Sequence, residues 1–215
     1  MPLFNRVDPF GQLTAAPSRG LFTGNRGVIH DPDTRTLLKR RWTTKAWIVC
    51  ALEWKGSRRE VWGRNGRSGG AGWTELFFVD EVTALSAGHR PCFACRRAAA
   101  TAFLSACRQG LSEPDLRLAE LDRRLHGERA ASGGPGPELS PDDLAALPEG
   151  AMVAVGDRPF ALRRGLLLPW SAAGYASGIE LPAIRSKTLR LLTPVSTLAA
   201  LRGGYSPVWH ASAGT

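Results

Sequence analysis

Two thiols, Cys92 and Cys95, lie three residues apart in the stretch Ala84-Leu85-Ser86-Ala87-Gly88-His89-Arg90-Pro91-Cys92-Phe93-Ala94-Cys95-Arg96. No other feature restricts the local structure of this chain as much. Gly88 reads as a helix stop and Pro91 cannot continue a helix, so a tight turn has to present Cys92. The alanine-rich run from Arg96 to Gln109, followed by Gly110, predicts a helix that begins at the second thiol. Two thiolates at this spacing can share one tetrahedral Zn²⁺. The N-terminal dipole of the following helix favours the anionic form of the second one. A thioredoxin-like redox pair would need a βαβ setting, which the surrounding pattern does not offer.

The other two cysteines are Cys50 and Cys107. Two disulfides would suit an exported protein, but Met1-Pro2-Leu3-Phe4-Asn5-Arg6 has no basic-then-apolar leader pattern, so a cytoplasmic location and metal chemistry are expected. Cys107 falls twelve residues beyond Cys95 on the same predicted helix, roughly 18 Å away along its axis, and is expected in the core. The longest apolar run, about Ala46 to Leu52, is far short of the roughly 20 residues of a membrane span, so no membrane partner is expected.

Around the thiol pair the elements alternate irregularly. Residues 1–27 read as an irregular segment. Residues 45–54 predict a strand, 58–62 its hairpin partner, 63–72 a glycine-rich loop and 74–79 a further strand. Asp80 is placed to cap a helix over 81–87. Ser112-Glu113-Pro114 predicts the start of a second helix carrying Leu116, Leu118, Leu121 and Leu125. Residues 130–137 predict a linker, and 142–147 a short helix. Strands are expected at 152–155, 160–163, 166–168 and 189–192, and a last helix from Pro194 to Leu201. Strands and helices mix without βαβ order, which predicts an α+β fold: a small zinc-stapled α/β module, then helices and a second small sheet. The expected division is 1–110, an acidic helical segment and linker at 111–149, and a C-terminal α+β segment at 150–215.

The segment over 76–97 resembles the metal-binding domain of the Ada alkylation-repair proteins. Phe77-Phe78 stands for that family's aromatic strand, His89 for its aromatic residue before Arg-Pro-Cys, and Cys92 and Cys95 for its second pair of zinc ligands. The likeness extends loosely over 42–97. It implies a zinc cofactor held also by upstream thiols, which the family supplies as Cys-x3-Cys, one of them accepting methyl groups from DNA methylphosphotriesters. This chain has Cys50 there, with Trp54 four residues on. The zinc scaffold is therefore expected to carry over and methyl transfer is not. For the fourth ligand, His30, beside a glycine-rich turn, and His89, three residues before Cys92, are the candidates, with no protein ligand as the third possibility. The metal set expected is Cys50, Cys92, Cys95 and His30.

Charge adds a partner class. Residues 1–110 carry 17 basic and 8 acidic side chains, residues 111–149 carry 4 and 9, and residues 150–215 carry 7 and 2. Of the 28 basic residues, 24 are arginine, whose planar fork suits phosphate. A pI near 10.2 then points to nucleic acid, DNA first, as partner. Arg58, Arg59, Arg64 and Arg67 on the hairpin and its loop, with Arg96 and Arg97 at a helix start, are the expected contacts. Tryptophans in the basic half are expected to be core, with base stacking as the alternative. His126 and Arg129 are placed to meet the dipole at a helix C-terminus. Two other function classes stay open: an enzyme on nucleic acid, phosphodiester hydrolase or alkyl transferase, and a zinc-stapled interaction protein. Oligomeric state has no sequence signal.

Overall fold

A computed structural model of the protein describes residues 2–53, 55–56, 60–131, 136–180 and 188–214. Its helices and strands mix as an α+β fold. The first sheet is built from β1 (Arg6–Val7), β2 (Leu13–Thr14), β3 (Phe22–Asn25), β6 (Ile48–Ala51), β7 (Leu76–Phe78) and β8 (Arg90–Pro91), in the order β2-β1-β7-β3-β6-β8. A separate ribbon joins β4 (His30–Asp31) to β5 (Thr36–Leu37). Half of the sheet thus comes from the segment expected to be irregular. Strands of two to four residues are too short to print a period-2 pattern, so only pairing reveals them.

The partner of β6 is β3, antiparallel with Thr23 opposite Cys50, rather than the predicted return strand. Of that predicted strand, Arg58 and Arg59 lie outside the described residues. Trp62 is not extended: its φ is +61°, and its backbone and indole N–H groups both donate to Glu75. On its other edge β6 runs parallel to β8, with Val49 opposite Pro91.

Helix α1 (Glu81–Ser86) starts at Asp80, whose carboxylate accepts from the Thr83 N–H, and ends before Gly88 at φ +76°. Helix α2 (Arg97–Leu111) runs through Gly110 and ends at Ser112 in the left-handed conformation. Gly110 serves packing instead. A Cβ there would lie 1.9 Å from the Ala199 carbonyl oxygen of α5 (Val195–Arg202), the helix against which α2 packs most closely. Gly110→Ala gains up to about 1 kcal/mol of helix propensity, but it must push two backbones apart. We expect a net loss of about 2–3 kcal/mol, read from the urea midpoint. An unchanged midpoint would mean that the helices can separate freely.

Helix α3 begins later than expected, at Leu118–Ala131, because residues 113–117 form turns that bring Leu116 into the core. Leu116, Leu121 and Leu125 pack with Leu85, Phe103, Cys107, Leu198 and Tyr205. After β9 (Glu138–Leu139) and α4 (Pro141–Ala145) comes the second sheet. It contains β10 (Met152–Val155), β11 (Arg158–Arg163), β12 (Leu166–Ser171), β13 (Gly174–Tyr175), β14 (Ile179–Glu180) and β15 (Leu189–Leu191), ordered β13-β12-β11-β10-β15-β9 with β14 beside β12. It is buried on both faces. Val153, Phe160, Leu162 and Leu167 meet Leu144 of α4, while Met152, Ala161 and Leu168 meet Val82 of α1. No helix among the described residues is long and apolar enough to cross a membrane.

Candidate metal centre

Parallel pairing of β6 with β8 builds the site. The Cys92 N–H donates to the Val49 carbonyl at 3.0 Å, which continues the ladder one residue past Pro91 and sets Cys92 beside Cys50. Val49 faces the apolar core, so strand alternation turns Cys50 to the opposite side. The chain then turns through Phe93 and Ala94, and the Arg96 N–H donates to the Cys92 carbonyl at 2.9 Å, which closes a knuckle and brings Cys95 back. The sulfurs of Cys50, Cys92 and Cys95 all stand within 4.8 Å of one another. Thiolates on one tetrahedral Zn²⁺ at about 2.3 Å would be about 3.8 Å apart, so a small contraction suffices.

The thiols are also prepared electrically. The Ala94 N–H points at the Cys92 sulfur at 3.4 Å. A hydrogen bond from Cys50 is the main cause that draws Cys92 down to about 5, aided by the N–H groups of Cys95 and Ala94. Cys95 is lowered by Cys50 as well, with the Ala51 N–H helping. Cys50, hydrogen-bonded to both neighbours and desolvated, is pushed far above the usual thiol range. Three convergent sulfurs, two of them met by backbone N–H donors, are a soft donor set. They suit a thiophilic cation, and are unsuited to the hard ions Mg²⁺ and Ca²⁺. These three residues are close enough to hold a metal ion.

The histidines stand elsewhere. His30 is not part of the thiol cluster: its Nδ1 lies 2.7 Å from the Thr74 hydroxyl and its ring stacks on Trp62 at 5.4 Å. The separate β4–β5 ribbon carries it away from the far end of β6, and burial keeps its pKa below the usual value. His89 is a packing ring between Phe78 and Trp47, and its Nε2 accepts from Arg26 Nε at 3.1 Å. Burial first, then Arg26 and Arg129, hold it neutral. Cys107 is in the core as expected, its sulfur 3.6 Å from the Ser196 carbonyl and its pKa pushed up to about 12 by burial. Residues outside the described set include no Cys, His, Asp or Glu side chain.

Compared with known proteins, the chain matches no family model, no curated protein and no solved structure.

The expected phosphate contacts divide. Arg58 and Arg59 fall outside the described residues. Arg64 grips the Asp33 carboxylate with a fork, Nε to Oδ1 at 3.0 Å and Nη2 to Oδ2 at 2.6 Å. Arg96 is withdrawn from solvent, ion-paired with buried Glu81 at 2.7 Å and stacked over Phe22. Arg67 and Arg97 are exposed. Nothing in the sequence marks Glu81 as partner of Arg96, since a carboxylate in the first turn of a helix usually only meets the dipole. The backbone donors to the sulfurs are equally silent in sequence.

Proposed function

We propose that this protein binds zinc at Cys50, Cys92 and Cys95 and contacts nucleic acid, DNA first, through the arginine-rich surface of an Ada-like module. The convergence of Cys50 from an upstream strand with the Cys-x2-Cys knuckle carries the reading. It reproduces, with one thiol fewer, the order of ligands that the resemblance implies. The net charge of +9 supports a polyanionic partner. Purified, reduced protein is expected to hold about one zinc per chain. Metal analysis below about 0.2 per chain would overturn the zinc assignment.

Binding to duplex or single-stranded DNA should weaken steeply with salt. Because each phosphate contact adds roughly 0.7–0.9 to the log–log slope, Arg67→Ala/Arg97→Ala should flatten it by up to about 2 and leave zinc content unchanged. No DNA binding at low salt would favour a metal-stapled interaction protein. One observation favours an enzyme as second reading: the cluster supplies three sulfurs, and no fourth Cys, His, Asp or Glu of the described residues joins it. A tetrahedral cation would be one protein ligand short there, as catalytic zinc sites are. Hydrolysis or dealkylation of a DNA backbone analogue, lost in Cys92→Ser, would establish that reading.

A further inference from the structure

Between the two sheets lies a cavity of about 740 Å³, a size that suits a small organic ligand. Its walls come from the β1–β2 turn, the segment before β6, the end of α1, helix α3 and the edge of β15. Arg41, Arg129 and Arg190 line it, and Arg26 lies directly behind, where a Cβ added to Gly11 would meet its Nη2 at 3.6 Å. Arg26 is only 1% exposed, and its side-chain partner is the neutral His89 ring rather than a carboxylate of the described residues. Its guanidinium sits 4.0 Å over the Trp47 ring, and that of Arg129 sits 4.1 Å from the same ring.

The negative charge nearby is engaged elsewhere: Asp122 and Glu128 both act on Arg129, but the first is forked by Arg90 and the second accepts from Ser196. Arg190 is paired with Glu138 at 3.1 Å, and exposed Asp157 is on the rim. Asp8 helps Arg26 weakly, itself resisting ionisation because it is desolvated. Burial first, then Arg41 and Arg129, press the Arg26 pKa down to about 9. Like charges gathered in a desolvated place are costly unless an anion joins them. The unpartnered buried polar atoms here have the same bias. Arg26 Nη2, Trp47 Nε1 and Arg129 Nε are donors without an acceptor, and His126 Nδ1 can be one. A phosphate group supplies several acceptor oxygens and the missing charge.

The mouth is aromatic. Phe10 and Trp42 are large apolar side chains left exposed, and both line this cavity. Trp42 packs edge-on against His126, with ring centroids 4.5 Å apart. Flat aromatic faces beside cationic groups are what bases stack on.

We propose that this cavity binds a nucleoside phosphate, with the phosphate toward Arg41, Arg129 and the charge of Arg26, and the base against Trp42 and Phe10. The ligand is either a free nucleotide or the phosphorylated end of a strand, which present the same groups. The thiol cluster lies outside this cavity, so the inference does not depend on the metal.

Titration calorimetry on the full chain tests it with adenosine 5′-monophosphate, adenosine, ribose 5-phosphate, and an oligothymidylate with and without a 5′-phosphate. The monophosphate should bind at least tenfold tighter than adenosine or ribose 5-phosphate. Arg41→Glu, at an exposed position, should weaken it at least tenfold with zinc content unchanged. Trp42→Ala should weaken the monophosphate and leave ribose 5-phosphate unaffected. Tighter binding of the phosphorylated strand than of the mononucleotide, abolished by Arg41→Glu, identifies a strand end; equal affinities identify a free nucleotide. Equal binding of adenosine and its monophosphate, no effect of Arg41→Glu, or no binding of any phosphate ligand would overturn the proposal.

Discussion

Cys50→Ser should lower the protein's affinity for zinc by at least about a thousandfold, and Cys92→Ser and Cys95→Ser should do the same. Apparent binding free energies of structural zinc reach about 10–16 kcal/mol, so losing one of three thiolates removes several kcal/mol, each 1.4 of them a factor of ten. The thiols come from two elements separated by some 40 residues, β6 on one side and the β8–α2 knuckle on the other. A cation between them would therefore staple the edge of the first sheet, and removing it should lower the melting temperature as well. Two controls make the result specific. Cys107→Ala should retain full zinc, because that thiol is buried against Ser196 in another core. His30→Ala should also retain it, because the ring is tied to Thr74 and Trp62. Competition with a chromophoric chelator measures the affinity, and a melt with and without chelator measures the staple. Wild-type affinity in Cys50→Ser would remove β6 from the centre, and lost zinc in His30→Ala would restore the histidine as a ligand.

How far the sequence could be read follows from the range of each signal. Cys92 and Cys95 were legible because their spacing, the Pro91 turn and the alanine-rich helix follow one another directly in the chain. Cys50 was placed by a resemblance, and His30 by its position beside glycines; only strand pairing separates the two. The register of β6 on β8 brings Cys50 level with Cys92, while the β4–β5 ribbon takes His30 elsewhere. The second sheet was legible because β10, β11, β12 and β15 are short apolar runs, as strands buried on both faces are. Of the first, β6 and β7 were legible within 45–54 and 74–79, whereas β1, β2 and β3, in the segment read as irregular, were not. Gly110 looked like a helix end and is a contact, because a close approach by Ala199 leaves no mark in local sequence. Which arginines face solvent is not legible for a related reason. Composition counts charges, whereas burial and pairing decide which remain free, and Arg96 is spent on Glu81 while Arg26 is enclosed.

Glu81→Ala should destabilise the protein by about 3–5 kcal/mol, the usual cost of leaving one member of a buried ion pair alone. The Glu81 side chain is 1% exposed and that of Arg96 10%, so water cannot take over for either. Besides Arg96, Glu81 accepts the Tyr205 hydroxyl at 2.7 Å and the Val208 N–H at 3.0 Å. One carboxylate thus ties the start of α1 to the residue after Cys95 and to the chain beyond α5. Arg96→Met should cost less than Glu81→Ala, because it removes the buried cation while leaving two hydrogen bonds to the carboxylate and the stacking volume over Phe22. The double variant should be no worse than Glu81→Ala, a coupling that a cycle of urea midpoints reads directly. The same variants bear on nucleic-acid binding. An Arg96 engaged inside the fold contributes stability, so Arg96→Met should leave the salt slope of DNA binding unchanged, whereas Arg67→Ala and Arg97→Ala flatten it. A slope reduced by about 1 in Arg96→Met at undiminished stability would return Arg96 to the phosphate-binding surface and break the link between Glu81 and the knuckle.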